Sequence, residues 1–279
     1  MWMLYAISQG FVYPVAYYII GYRKKVVRKN LKASFPEKND KELRNLEKDF
    51  YHGFADLFAE IIHGYRMSDE EWHERVRFVN IDEVEKACVE YGGVIAMLGH
   101  MGCWEWLAGF GSTVSYQPTR SNIVYMRLKS KSADKVMFEL REKRHCIPLE
   151  MRSLLRTMLA EKNNGVFNIY GFLCDQKPPS KDLDCWTNFL NQQVPFITGP
   201  ERLAKKPDYP VVYVDVTKKS RGYYDAYVHI ITLTPNQTEQ GQITREYAKY
   251  LERNILRKPE IWLWSHNRFK WKIADANKE

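Results

Sequence analysis

The spacing of apolar residues predicts helices that alternate with strands along most of the chain. Between residues 40 and 66, apolar side chains recur every three or four positions, which predicts an amphipathic helix capped by Asn39 or Asp40. Ser68 followed by Glu71 resembles a capping box and predicts another short helix. Further helices are predicted over 132–144, 152–163 and 242–257, and buried strands over 94–98, 122–126, 165–173, 210–216 and 223–233. Strands separated by helices indicate an α/β fold with a mostly parallel central sheet flanked by helices.

The first 20 residues form an apolar segment without a charged side chain, and a basic run over residues 23–32 follows it. A membrane-spanning helix needs about 20 predominantly apolar residues, and Ser8, Gln9, Gly10 and Pro14 interrupt this one. Two possibilities stay open: the segment spans the membrane, or it lies on the membrane surface. Both are favoured over packing of the segment on the protein itself. We therefore expect an N-terminal apolar, membrane-associated helix with a basic segment over 1–36 and a catalytic domain over 37–279. If the helix inserts, the basic run leaves the remainder in the cytoplasm.

Composition and charge narrow the classes of partner without choosing among them. Of the 279 residues, 45% are hydrophobic and 27% are charged, as in ordinary globular proteins. The net charge is +8, and basic residues cluster in the run over 23–32 and again at Arg268, Lys270 and Lys272. Such clusters attract nucleic acid, anionic lipid or an acidic protein. Five cysteines without a CxxC pair indicate a reducing compartment, where they act as small apolar residues.

The stretch GHMGCWEW, residues 99–106, follows the apolar run VIAML and places polar groups at the end of a predicted strand. His100 and Glu105 are five residues apart, so they would point about 140° apart on a continuous helix. Gly99 and Gly102 permit a turn that brings the imidazole and the carboxylate together. A carboxylate that holds one imidazole nitrogen increases the basicity of the other, as in a hydroxyl-activating pair. The alternative is a core histidine and a glutamate at a helix start.

The stretch GFLCDQKPP, residues 171–179, follows a second apolar strand. Asp175, Gln176 and Lys177 there could bind an acceptor or orient another catalytic residue, or they could form an ordinary turn. Ligands in parallel sheets bind beyond the carboxyl ends of strands, where both His100 and Asp175 are predicted to lie. Arg141, Lys143 and Arg144 end a predicted helix, where they either cap it or bind a phosphate or a developing oxyanion.

The C-terminal stretch PEIWLWSHNRFKWK mixes aromatic and basic residues. It could form an aromatic and cationic belt on a membrane, or it could supply tryptophans to the core and leave its lysines in solvent. A nucleic-acid stacking patch fits it least well.

The chain contains none of the motifs G-x-S-x-G, H-E-x-x-H, G-x-x-x-x-G-K-[ST] or G-x-G-x-x-G. The residues offer no protein nucleophile, and Cys103 lies in a tryptophan-rich context suited to burial. We therefore expect base catalysis in which a substrate hydroxyl is the nucleophile.

Four blocks of the sequence together resemble the bacterial lipid A late acyltransferases, the lauroyl and myristoyl transferases of the lysophospholipid acyltransferase superfamily. They are GYRKKVVRKNLKASFPE with FAEII after it, the H-x4-E of GHMGCWEW, the DQ of FLCDQKPP with FITGP downstream, and RKPEIWLWSHNRFKWK. These blocks stretch over residues 21 to 272, and the last one is the most specific.

The resemblance implies transfer of a fatty acyl chain from acyl carrier protein, or another acyl thioester, to a hydroxyl of a lipid A precursor, without a covalent intermediate. His100 would be the general base, Glu105 its orienting carboxylate and Arg144 the functional arginine, with Arg141 as the second choice. Substrate-binding roles are implied for Asp175, Gln176, Arg127, Arg141 and Lys177.

No metal or other cofactor is expected, and the expected partners are acyl carrier protein, an anionic glycolipid or phospholipid acceptor and the membrane surface, with no nucleic acid. The expected location is the cytoplasmic face of a bacterial inner membrane. The alternatives are an acyltransferase for a different glycolipid, phospholipid or aminolipid, and a lipid-binding relative without catalytic activity.

Overall fold

A computed structural model of the chain describes residues 1–125, 130–162, 164–180 and 182–276. Its α-helices are α1 (Trp2–Ile7), α2 (Lys24–Ser34), α3 (Asp40–Gly64), α4 (Asp69–Arg75), α5 (Ile81–Cys88), α6 (Lys131–Glu142), α7 (Leu154–Glu161), α8 (Gly199–Ala204), α9 (Gln242–Arg257) and α10 (Ile273–Ala276). Its strands are β1 (Val76–Phe78), β2 (Gly93–Leu98), β3 (Thr119–Tyr125), β4 (Cys146–Glu150), β5 (Phe167–Leu173), β6 (Cys185–Phe189), β7 (Gln192–Phe196), β8 (Val211–Ser220) and β9 (Tyr223–Thr232). The 3₁₀ helix Trp104–Thr113 follows β2, and wider π-helical turns at Ser8–Val12 and Val15–Ile19 continue α1.

The central sheet has seven strands in the order β1-β9-β8-β2-β5-β3-β4. Neighbouring strands run parallel except for the hairpin of β8 and β9, so the predicted α/β fold with a mostly parallel, helix-flanked sheet is confirmed. Each predicted strand has a counterpart, and the register pairs Leu98 of β2 with Leu173 of β5. This pairing places the ends of the two strands side by side.

The structure also contains strands that the sequence patterns did not predict. Short strands β1 and β4 form the two edges of the sheet, and β6 and β7 form a separate antiparallel hairpin. With three to five residues each, these strands are too short to show a clear alternation of apolar and polar positions.

The start of α3 confirms the helix predicted over residues 40–66. Asn39 Oδ1 accepts hydrogen bonds from the backbone N–H groups of Lys41 and Glu42, and the Glu42 carboxylate accepts one from Asn39 N at 2.8 Å. At the start of α4, Ser68 accepts from Glu71 N at 3.2 Å. The Glu71 carboxylate is hydrogen-bonded to His63 and Arg75, so α4 has the predicted cap residue without the reciprocal bond of a capping box.

The N-terminal segment packs on α3 through the buried rings of Tyr13 and Tyr17 and through polar contacts. Ser8 Oγ donates to Asp56 Oδ1 at 2.7 Å, and Tyr5 OH donates to Glu60 Oε1 at 2.9 Å. Within the described residues, no single helix is long and apolar enough to cross a membrane, although Trp2–Ile19 and Lys24–Ser34, bent by 84° to each other, pass that test together. Packing on the protein was the less favoured expectation, and the structure shows this packing.

The C-terminal aromatic residues are mostly part of the core. Trp262, Trp264 and Phe269 are buried, whereas Lys270 and Lys272 are exposed. Of the three alternatives for this stretch, the structure therefore shows core tryptophans with solvated lysines. All five cysteines are free and buried, as predicted, and burial raises the pKa of each thiol.

Candidate active site

His100 lies just beyond the carboxyl end of β2, in a loop that the C-terminal stretch holds in place. Leu263 N donates to the His100 carbonyl oxygen at 3.1 Å, and Gly102 N donates to the Ile261 carbonyl oxygen at 2.9 Å. Gly102 has a φ of +54°, and a Cβ at this position would lie 2.4 Å from the Tyr224 ring. Glycine is therefore required both by the turn and by the close packing beneath it.

Asp175 is the carboxylate that contacts His100. Its Oδ1 lies 2.5 Å from His100 Nδ1, and its Oδ2 accepts hydrogen bonds from His100 N at 3.0 Å and from Trp262 Nε1 at 2.8 Å. Burial alone would raise the pKa of Asp175, but the His100 imidazole and the three hydrogen bonds outweigh it and lower this pKa to about 2. Asp175 is thus a buried anion, which fixes His100 with Nδ1–H donating and leaves Nε2 as the basic nitrogen.

Glu105 takes a different partner from the one predicted. It is the second residue of the 3₁₀ helix Trp104–Thr113, and its carboxylate pairs with Arg141 through Nε at 3.0 Å and Nη2 at 2.8 Å. Trp104 Nε1 donates to Glu105 Oε1 at 3.1 Å, and the Trp104 ring packs edge-on against the His100 ring at 4.8 Å. The expected imidazole–carboxylate pair is present, but Asp175 supplies the carboxylate because its strand is adjacent to that of His100.

The two candidate arginines on and after α6 point to different places. Arg141 reaches Glu105, whereas Arg144 is buried under α4, where Nη2 donates to the Met67 carbonyl oxygen at 2.6 Å and Nη1 to Asp69 at 3.0 Å. Burial lowers the pKa of Arg144. The structure thus places Arg144 away from His100, and its functional role stays a prediction, whereas the second choice, Arg141, contacts Glu105 next to Trp104.

Of the residues predicted to bind substrate, Gln176 lies next to His100, whereas Lys177 lies next to His266. Gln176 Nε2 lies 3.4 Å from His100 Nε2, next to the nitrogen that would act as the base. Lys177 contributes its backbone N–H, which donates to His266 Nε2 at 3.2 Å. Burial, followed by the nearby charges of Arg268 and Lys177, lowers the pKa of His266 to about 4 despite the opposing effect of Asp175. The sequence analysis did not single out His266 or Trp262, and Arg127 lies outside the described residues.

An apolar pocket of about 590 Å³, including its opening to solvent, lies between the sheet and the 3₁₀ helix. We call it the sheet-face pocket. Its floor and roof are apolar, and Glu105 and Arg141 are among its few charged lining residues. Apolar lining residues include Ala96, Leu98, Ile123, Ile169, Gly171, Leu173, Trp104, Leu107, Ala108, Phe78 and Phe110, the last two stacked at 4.6 Å. The apolar lining suits a hydrocarbon chain.

In the part of the chain that the structure describes, no group of three or more His, Cys, Asp and Glu side chains is arranged to hold a metal ion.

Fold and site together define an α/β protein with a histidine–aspartate pair at the carboxyl edge of its sheet and an apolar pocket beside that pair. The chain belongs to the bacterial lipid A biosynthesis acyltransferase family, whose model matches residues 5–271. This match confirms the resemblance seen in the four sequence blocks and indicates an acyltransferase that acts on a lipid acceptor. A search of curated protein sequences found no match.

Proposed function

We propose that the protein transfers a fatty acyl chain from acyl carrier protein, or from another acyl thioester, to a hydroxyl of a lipid A precursor, with His100 as the general base. The observation that carries this proposal is the hydrogen bond of 2.5 Å between His100 Nδ1 and the buried Asp175, which leaves Nε2 basic beside an apolar pocket. The family match supports the acyl transfer and the lipid acceptor.

The reaction proceeds without a covalent acyl-enzyme. His100 Nε2 removes the proton of the acceptor hydroxyl while the hydroxyl oxygen attacks the thioester carbonyl carbon. The resulting tetrahedral oxyanion collapses, the carbon–sulfur bond breaks, and the proton on His100 passes to the departing thiolate. Each cycle forms one ester bond and one thiol, and His100 returns to its neutral state.

In this proposal, the roles of the two carboxylates differ from those the resemblance implied. Asp175 orients His100 and stabilises the imidazolium that forms during the reaction. Glu105 holds Arg141 by a bidentate ion pair, and such pairs fix the plane of the guanidinium. Arg141 then places a cation at the sheet-face pocket, where the oxyanion of the bound thioester develops.

The distribution of apolar side chains supports association with a membrane. On the N-terminal segment, Ser8 bonds to α3 and Tyr13 and Tyr17 are buried, but many large apolar side chains face outward, unlike those of a soluble helix. The exposed apolar residues there are Trp2, Met3, Ile7, Phe11, Tyr18, Ile19 and Ile20. Phe58 and Ile62 of α3 are also exposed, at 45% and 59%. We propose that this surface lies on the bilayer, with the basic run over 23–32 at the anionic cytoplasmic face.

The experiment that tests the function measures lipid A by mass spectrometry in a strain lacking this gene, complemented with wild type, His100→Ala or His145→Ala. His145 is a matched control because it is an exposed histidine whose nearest acidic partner is Asp69. Wild type and His145→Ala are expected to restore the missing acyl chain, and purified His100→Ala to lose about a thousandfold in kcat.

Other outcomes would correct the proposal in defined ways. A changed glycolipid, phospholipid or aminolipid beside unchanged lipid A would keep the transfer and replace the acceptor. Full complementation by His100→Ala would contradict the base mechanism, and the absence of any lipid change would favour a lipid-binding relative without activity.

A further inference from the structure

A second, smaller apolar cavity shares the side chain of Trp104 with the sheet-face pocket. Including its opening to solvent, it has a volume of about 330 Å³, and its apolar lining residues include Phe50, Gly53, Phe54 and Leu57 of α3 together with Ile261 and Leu263. We call it the α3 cleft. Glu60 also lines it, but that carboxylate is hydrogen-bonded by Tyr5 OH at 2.9 Å and Tyr224 OH at 2.6 Å, and burial raises its pKa. Two further charged residues, Lys218 and Glu260, also line the cleft.

Trp104 belongs to the lining of both cavities. Its ring packs edge-on against the ring of His100 at a centroid distance of 4.8 Å. Transfer without a covalent intermediate requires the acyl donor and the acceptor to be at His100 at the same time. Two apolar cavities that meet at the side chain next to the base satisfy this requirement.

The α3 cleft continues into the exposed apolar surface of α3. Phe54 lines the cleft, and its ring contacts that of Phe58 edge-on at 5.2 Å and stacks on that of Tyr22 at 5.5 Å. Phe58 and Tyr22 are 45% and 41% exposed. A lipid that leaves the bilayer at this surface would keep its hydrocarbon in contact with aromatic side chains up to Trp104.

We propose that the α3 cleft binds an acyl chain already present on the lipid acceptor, while the sheet-face pocket holds the chain to be transferred, with Trp104 lining both of them. This inference rests on the proposed acyl transfer. The acceptor is assigned to the α3 cleft because it must come from the membrane and Phe54 of the cleft contacts the exposed Phe58 and Tyr22. The donor is assigned to the larger pocket, which Glu105 and Arg141 flank.

Glycines in the two cavities give matched variants that separate these assignments. A Cβ at Gly53 would meet Glu260 O at 3.5 Å, and a Cβ at Gly171, in the floor of the sheet-face pocket, would meet Asn122 O at 3.7 Å. Both are ordinary contacts, so Gly53→Ala and Gly171→Ala serve as size controls. Gly53→Leu then fills the cleft, and Gly171→Val fills part of the pocket.

The assay uses lauroyl, myristoyl and palmitoyl thioesters of acyl carrier protein as donors. The acceptors are a tetraacylated lipid A precursor in detergent micelles and its O-deacylated form. Gly53→Leu is expected to raise the KM for the tetraacylated acceptor by about tenfold, the effect of excluding about two methylene groups. Its KM for the donor, its preference among donor chains and its KM for the O-deacylated acceptor should change by less than about twofold. Gly171→Val is expected to shift the preference toward shorter donor chains without changing the KM for either acceptor.

Three results would overturn the inference or separate it from the proposed function. A shift of donor preference in Gly53→Leu, with an unchanged acceptor KM, would place the transferred chain in the cleft. An active Gly53→Leu with no kinetic change would show that neither chain occupies the cleft. If the wild type transfers no chain from any thioester, the proposed function itself fails, whatever the variants do.

A second variant covers the case in which Gly53→Leu does not fold. Phe54→Ser makes the mouth of the cleft polar instead of filling it, and it is expected to raise the same acceptor KM. An unchanged acceptor KM in folded Phe54→Ser would also contradict the inference.

Discussion

Two buried carboxylates lie at the same edge of the sheet, and they have different partners. Asp175 contacts the imidazole of His100, whereas Glu105 forms a bidentate pair with the guanidinium of Arg141. An imidazole gains and loses a proton near neutral pH, whereas a guanidinium remains charged. The first pair can therefore move a proton, and the second can only hold a cation in place.

Adjacency in the sheet, rather than adjacency in sequence, decides which carboxylate reaches the histidine. Glu105 is five residues from His100, but the 3₁₀ helix turns its side chain toward α6. Asp175 is 75 residues away, yet each residue lies two positions beyond the paired Leu98 and Leu173. Because the two residues lie the same number of positions beyond a pair of neighbouring residues on parallel strands, their side chains come together.

Neutralising each carboxylate in turn is expected to give the largest difference between the two pairs. In Asp175→Asn, an amide that donates to Nδ1 favours the tautomer protonated at Nε2, so the base is lost and kcat falls by at least about a hundredfold. In Glu105→Gln, Arg141 keeps a neutral acceptor, and kcat falls by about tenfold. Steady-state kinetics of purified variants over a range of pH would measure both. A larger loss in Glu105→Gln would show that Glu105 orients the base, as the resemblance implied.

Replacing each of the two arginines is expected to separate an effect on activity from an effect on stability. Arg141→Gln unpairs Glu105 at the pocket and should reduce kcat by about tenfold with little change in donor KM. Arg144→Gln breaks the contacts with Met67 and Asp69 and should lower the free energy of unfolding by about 2 kcal/mol with kcat unchanged. Urea denaturation and kinetics of both variants provide the test. A loss of kcat in a stably folded Arg144→Gln would return the functional role to Arg144.

The sequence predicted the sheet and the position of the candidate active site better than it predicted which side chains contact one another in that site. Apolar runs predicted the long strands because buried parallel strands are continuously apolar, and His100 and Asp175 were both expected at strand ends. The sequence analysis left open that Asp175 orients another catalytic residue, and the contact of Asp175 with His100 agrees with that alternative. The order of strands, which makes β2 and β5 neighbours, depends on packing over the whole chain and has no local signal. For the same reason the ending of α6 did not show which arginine faces the site.

The smallest expected effect is on folding stability and concerns His266. Its Nε2 accepts a hydrogen bond from the backbone N–H of Lys177, two residues after Asp175. Its pKa falls from 6.5 to about 4 in the folded state, so the unfolded state binds the proton more tightly between these values. Folding stability is therefore lost as the pH falls below 6.5, by about 1 kcal/mol between pH 7 and pH 5.5 from this group. His266→Gln keeps an acceptor for Lys177 N and should remove this part of the pH dependence, whereas the exposed control His145→Gln should not. Urea denaturation at both pH values measures the difference, and equal losses in wild type and His266→Gln would show that His266 does not carry the effect.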